Sequence, residues 1–133
     1  EGVRELLLFG YQGKLIKLAG GIFHTHHHQA DGRAEVLTAL AALEGLGGEG
    51  LLELHRAATV EAALRGLEVA DPALAERLRL RIASTIEERS AAYLGRHGQE
   101  GMAVGAVLFD RARELCARGP IGARLLERLR DGT

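Results

Sequence analysis

Apolar residues are spread along this chain in two ways. Leu6-Leu7-Leu8-Phe9 and Met102-Ala103-Val104-Gly105-Ala106-Val107-Leu108-Phe109 are almost unbroken apolar runs, and Gly10 closes the first. Such short continuous runs predict strands buried on both faces, as in a parallel sheet covered by helices. Between them the apolar positions recur at helical spacing. After a turn at Gly10-Tyr11-Gln12-Gly13, Lys14 to Ala19 gives a short helix ended by Gly20-Gly21. Val36, Leu37, Leu40, Leu43 and Leu46 mark a second helix, broken at Gly47-Gly48, with Asp31 as its expected N-cap. Two shorter helices follow, Leu51 to Ala57 and one from Thr59 to Leu67. Asp71-Pro72 pairs a capping carboxylate with a proline at the first helical position, a strong start signal. From there Leu74, Leu78, Ile82, Ile86 and Tyr93 form the stripe of a long helix ending near Gly95, with Arg77, Arg79 and Arg81 on solvated positions. Glu114 to Ala117 reads as a short third strand after a turn at Asp110 to Arg113, and Ile121 to Arg130 as a terminal helix.

This order predicts a helix-rich α/β fragment with a small, mainly parallel sheet covered by helices. A length of 133 residues fits one domain over residues 1–133. Two or three strands make a thin sheet for so many helices, and the chain opens with Glu1 shortly before a strand-like run. Both features suggest part of a longer protein. The formal net charge of −1, from 17 basic and 18 acidic side chains, argues against a broad footprint for nucleic acid or an anionic membrane. There is no apolar run of the roughly 18 residues a membrane span needs, and no secretory signal is visible. Cys116 is the only cysteine, which excludes an intramolecular disulfide and a cysteine zinc cluster and fits a reducing cytoplasm.

The stretch from Gly10 to Asp31 holds the candidate chemistry. Gly10-x-x-Gly13-Lys14 follows a strand and opens a helix, where backbone amides can approach an anion and Lys14 and Lys17 add charge on one face. It is neither a Walker A loop nor the dinucleotide fingerprint, and turn geometry alone also accounts for the glycines. His24-Thr25-His26-His27-His28 can be a solvated or partner-facing loop, a metal site or a substrate contact. Adjacent histidines in an extended chain alternate in direction, which weighs against metal. Cys116 reads as a small core residue, and His55 and His97 as helix-surface residues. No Ser-His-Asp or paired-carboxylate arrangement is recognisable.

From Leu7 through Gly10-Tyr11-Gln12-Gly13-Lys14-Leu15-Ile16-Lys17-Leu18-Ala19-Gly20-Gly21-Ile22-Phe23-His24-Thr25-His26 to Ala30-Asp31-Gly32-Arg33, the chain resembles the signature of the CbiD family. Val104 to Phe109 resembles a strand of the same family. The sequence departs from the family pattern at Tyr11, where His is common, at Gly20, where Ala is usual, and at His27-His28. A proton-carrying role for the family His is therefore in doubt here. The resemblance implies the C-terminal part of an enzyme that transfers a methyl group from S-adenosylmethionine to ring carbon C1 of a cobalt corrinoid, in cobalamin biosynthesis. It implies as partners that corrinoid and an N-terminal portion of the same protein, and leaves self-association open. The candidate substrate-binding residues are Gly10, Gly13, Lys14, Lys17, Thr25 and Asp31, with His26 as candidate general base; the cobalt belongs to the substrate. Two other readings stay open. One is a non-catalytic metal- or anion-binding module built on the histidine loop. The other is an oligomerisation domain packing through the Ala-rich helix from Arg33 to Leu46.

Overall fold

The two apolar runs pair with each other. In the computed structural model, which describes residues 4–23 and 31–132, β1 (Glu5–Tyr11) and β2 (Ala103–Phe109) lie parallel, with Glu5 opposite Ala103 and Tyr11 opposite Phe109. β3 (Leu115–Arg118) returns antiparallel along the other side of β2, so the sheet order is β1-β2-β3. Between β1 and β2 run α1 (Gln12–Ala19), α2 (Arg33–Leu43), α3 (Gly48–Arg56), α4 (Val60–Ala70) and α5 (Pro72–Arg96), and α6 (Pro120–Arg130) follows β3. The helix-rich α/β arrangement expected from the pattern is present, with one parallel and one antiparallel strand pair. No helix among the described residues is long and apolar enough to cross a membrane.

β2 fits the expectation of two-faced burial, with Val104, Ala106, Val107 and Leu108 fully buried. β1 does not: Leu6 and Phe9 keep 38% and 49% of their surface exposed. The reason is position. Among the described residues β1 is an outer strand, paired on one side only. Ala106 and Leu108 join the main core, where Ile16, Leu37, Leu64, Leu78, Ile82 and Ile86 are almost without solvent contact. Each such side chain contributes roughly 1.5–3 kcal/mol relative to exposure.

Helix ends explain the element boundaries. The Asp71 carboxylate accepts from the Leu74 amide at 3.2 Å and the Thr59 hydroxyl from the Ala62 amide at 3.0 Å, so both expected caps form. The N-cap position expected at Asp31 is instead taken by Gly32, at φ 79°, while the Asp31 carboxylate accepts from the Arg33 amide at 3.3 Å and from the Arg33 guanidinium. α2 stops at Leu43 rather than running to Leu46. Gly45, at φ 98°, donates to the Ala42 carbonyl and Leu46 to that of Ala41, the paired bonds of a Schellman ending that needs a left-handed residue. The turn expected from Gly10 to Gly13 is absent. β1 continues to Tyr11, and Gly10 sits inside the strand opposite Leu108, with the Leu15 side chain where a Cβ would lie. The arginines of α5 are not simply solvated: Arg77 and Arg81 both pair with Glu44 beyond α2, and Arg79 pairs with Glu68 of α4.

One buried carboxylate joins three elements. Glu87 of α5, 3% exposed, accepts from the amides of Ala106 in β2 at 3.0 Å and of Ile121 and Gly122 in α6 at 3.2 and 2.7 Å. α6 has only Gly119 at its N-cap, so Glu87 supplies from another helix the acceptor that a capping side chain gives. The helix also approaches the sheet closely. An added methyl group at Gly122 would overlap the Ala106 carbonyl, and one at Gly105 would lie 2.8 Å from the Gly122 Cα.

Candidate functional site

Parallel pairing brings the carboxyl ends of β1 and β2 side by side, and in open α/β sheets ligands collect outside such ends. A cavity of about 300 Å³ opens there. Its inner wall is apolar, from the buried Leu37, Leu54 and Val60, and its polar side carries Tyr11, Arg33 and Arg111 together with the carboxylates of Asp31 and Glu35. Residues at the starts of α1, α2 and α4 line it. α1 has no side-chain hydrogen bond capping its start, whereas at α2 the Asp31 carboxylate accepts from the Arg33 amide at 3.3 Å.

The polar side is built from near neighbours in sequence and one distant residue. The Tyr11 ring lies over Gly13, where an added Cβ would come within 2.5 Å of it. Glycine at position 13 is thus needed for close approach of a ring. Arg33 is held on three sides: Nε and Nη2 donate to Asp31 at 2.7 and 2.8 Å, and Nη1 donates to the Gly13 carbonyl at 3.1 Å. This bidentate contact holds the Asp31 carboxyl down at about 2, below its ordinary 3.8. Arg111 arrives from the turn after β2, and its Nε donates to the Tyr11 hydroxyl at 3.4 Å. That contact keeps the Arg111 guanidinium more firmly protonated than usual, as Asp31 does for Arg33.

The turn that presents Arg111 is fixed locally. The Asp110 carboxylate accepts from the Glu114 amide at 2.9 Å, and Arg113 takes the left-handed conformation at φ 65°. A second, shallower depression of about 390 Å³ continues past Tyr11 along Asp110, Arg111 and Arg113. Glu35, also in the lining, lies 3.1 Å from His55, and its carboxyl is lowered first by its own backbone amide and then by His55.

A buried strut holds the walls together. Gln12, 2% exposed, donates to the Glu61 carboxylate of α4 at 2.8 Å and accepts from the Cys116 thiol of β3 at 3.2 Å. Glu61 in turn pairs with Arg65 at 3.0 Å. Burial pushes the Cys116 thiol up to about 11, so it stays protonated at neutral pH. The expected role of Cys116 as a packed residue fits this arrangement.

Of the site residues chosen from sequence, Gly13 and Asp31 line the cavity, whereas Gly10 lies within β1 and does not. Lys14 is exposed and Lys17 half-buried, and neither lines the cavity, although the Lys17 charge helps lower Asp31. Thr25, His26 and the rest of the run from His24 to His28 fall outside the described residues. Among the described residues no three His, Cys, Asp or Glu side chains gather to hold a metal. Sequence reading missed Tyr11, Arg33 and Arg111 as cavity residues. Arg33 closes the Ala30-Asp31-Gly32-Arg33 stretch and could have been found there, while Arg111 is marked only by being the second residue past β2.

Fold and cavity together define a helix-covered α/β module with a charged cavity at the ends of its parallel strands. A family model described as CbiD, C-terminal domain, matches residues 24–120. The chain belongs to the CbiD family. It is 57% identical over 125 residues to a protein of Prochlorococcus marinus (strain MIT 9303) named cobalt-precorrin-5B C(1)-methyltransferase, covering 94% of this chain and 32% of that protein. A protein of the same name from Synechococcus sp. (strain CC9902) is 54% identical over 130 residues, covering 98% of this chain and 36% of its own length. Another from Prochlorococcus marinus (strain NATL1A) is 46% identical over 129 residues, covering 97% and 34%. The chain thus spans about a third of the length of these curated relatives. No solved structure matches it significantly.

Proposed function

We propose that this chain is the C-terminal part of a cytoplasmic enzyme that methylates ring carbon C1 of cobalt-precorrin-5B in cobalamin biosynthesis. The observation that carries the reading is identity of 57% over nearly the whole chain to a relative bearing that name. The cavity agrees with it chemically. A corrinoid precursor is a polyanion, an apolar ring edged with acetate and propionate arms, and the site joins an apolar wall to the exposed Arg111, its two carboxylates, Asp31 and Glu35, being paired with Arg33 and His55. The chain's share of the chemistry in this reading is to bind and orient the macrocycle, which for methyl transfer means holding the accepting carbon in attack geometry.

S-adenosylmethionine is the donor in this proposal, and it supplies the methyl group on a positively charged sulfur. The described cavity does not fit it. At about 300 Å³ it is small for so large a donor, its two carboxylates, Asp31 and Glu35, are already paired with Arg33 and His55, and Arg111 would face the sulfonium with like charge. The donor site therefore belongs, in this reading, to the remaining two thirds of the enzyme. His26 stays our candidate for the proton-accepting group, with Thr25, Lys14 and Lys17 as further substrate contacts.

The test is anaerobic incubation of the native-length protein with methyl-labelled S-adenosylmethionine and cobalt-precorrin-5B, followed by mass analysis of the corrinoid. One labelled methyl group on the ring is expected. Folded protein that transfers none refutes the proposal. His26→Ala should then lower turnover by about a hundredfold or more if it carries the proton.

A further inference from the structure

We infer that Arg111 and Tyr11 form a carboxylate clamp that seats one acidic arm of the corrinoid in the cavity at the ends of β1 and β2; this rests on the function proposed above. The two arginines of the site are not equivalent. Arg33 is fixed by bonds from all three of its nitrogens and its charge is already answered by Asp31, so it is wall. Arg111 is exposed and donates only through Nε, to Tyr11 at 3.4 Å, and its terminal nitrogens have no acceptor among the described residues. A guanidinium with unspent paired donors is the group that takes a carboxylate bidentately. The Tyr11 hydroxyl, already accepting from Arg111, has a proton to give to the same carboxylate.

Size and polarity point to the arm rather than the ring. At about 300 Å³ the cavity is at the lower end of small-ligand sites and too small for a tetrapyrrole. The buried Leu37, Leu54 and Val60 suit the methylenes of an acetate or propionate, while Arg111 sits on the exposed side and the lining carboxylates Asp31 and Glu35 are paired with Arg33 and His55. Neither Lys14 nor Lys17 lines this space, so the charge contact expected of those lysines passes here to Arg111.

The experiment is equilibrium titration of the native-length protein with a cobalt corrinoid bearing free carboxylates and with its methyl ester, followed by visible absorbance. S-adenosylmethionine binding and melting temperature are measured on the same samples. Wild type should bind the free acid at least about tenfold more tightly than the ester. Arg111→Gln should weaken the free acid by about tenfold and shrink the acid–ester difference, with Arg111→Lys recovering part and Tyr11→Phe losing less. Melting should not move in Arg111→Gln. Wild-type affinity in Arg111→Gln, or a wild type that binds neither form or does not discriminate, overturns the clamp. A loss confined to S-adenosylmethionine overturns its assignment to the corrinoid. Methyl transfer by wild type separates the two proposals: turnover with unchanged Arg111→Gln affinity removes the clamp alone. Altered corrinoid affinity without wild-type turnover removes the methyltransferase reading and keeps the clamp.

Discussion

Two regions of this molecule gather backbone amides near helix starts, and they differ in what answers the charge. At the α6 end, the protein supplies its own acceptor: Glu87 is buried and accepts three amide hydrogens, and the glycines around it leave no room for anything else. At the strand-end cavity, α1 starts without a side-chain cap, Asp31 reaches the first α2 amide at 3.3 Å while paired with Arg33, an exposed arginine stands at the rim, and space remains. The same physical preference is satisfied from the interior in one place and, at α1, has no side-chain partner in the other. The contrast sorts residues by task. The Glu87 region should govern stability and leave binding alone, and Arg111 should do the reverse.

Breaking the closed region should have the largest effect. Glu87→Ala strands three amides in the interior and should cost about 3–5 kcal/mol in a urea titration. A loss below about 1 kcal/mol would mean that water or rearrangement satisfies those amides. Gly122→Ala forces α6 off the Ala106 carbonyl and should cost about 1–3 kcal/mol, again without altering ligand affinity.

The strut between the cavity walls sharpens the comparison, since it belongs to both tasks. Gln12→Ala removes the partner of Glu61 and Cys116 and should cost about 1–3 kcal/mol while also loosening the site. Cys116 reports on the same strut. With its thiol pushed up to about 11, alkylation at pH 8 should be far slower in folded than in unfolded protein. A thiol raised in the folded state contributes stability that is complete below its ordinary 9.0 and lost as pH climbs to about 11. Rapid labelling of native protein at pH 8 would contradict the buried placement.

The smallest effect is expected at Asp31. Its carboxyl is depressed by Arg33, so the stability it adds is present above its ordinary 3.8 and disappears as pH falls through about 2. Both side chains are about half exposed, at 56% and 40%, so solvent screens the pair and the acid limb should be shallow. Asp31→Asn should flatten that limb in a pH series of melting curves. A limb unchanged by the substitution would assign it to other carboxylates.

Local signals in the sequence were enough for most of the fold. Asp71-Pro72 marks the start of α5 because cap and proline act within a few residues, and the apolar run of β2 marks a strand that neighbours do cover. What failed were properties set by distant residues. The Leu6 to Phe9 run looks like an interior strand, yet its burial depends on which strands lie beside it. Asp31 looks like the cap, and its carboxylate does accept from the Arg33 amide, but Gly32 holds the cap position and the Arg33 guanidinium supplies the stronger, charge-assisted contact. The glycine spacing and Asp31 pointed to the cavity, while Lys14 was favoured for its charge without knowledge of its direction. Arg111 was out of reach, because it meets Tyr11 across 100 residues only once β1 and β2 pair in parallel.

The most direct test of the division of labour is a paired experiment on Glu87→Gln and Arg111→Gln in the native-length protein, measuring melting temperature and corrinoid affinity on the same samples. Glu87→Gln should melt several degrees lower and, while folded, bind as wild type. Arg111→Gln should melt as wild type and bind the free-acid corrinoid about tenfold more weakly. Arg111→Gln that melts early and binds normally would contradict the account, because the open site would then be serving the fold.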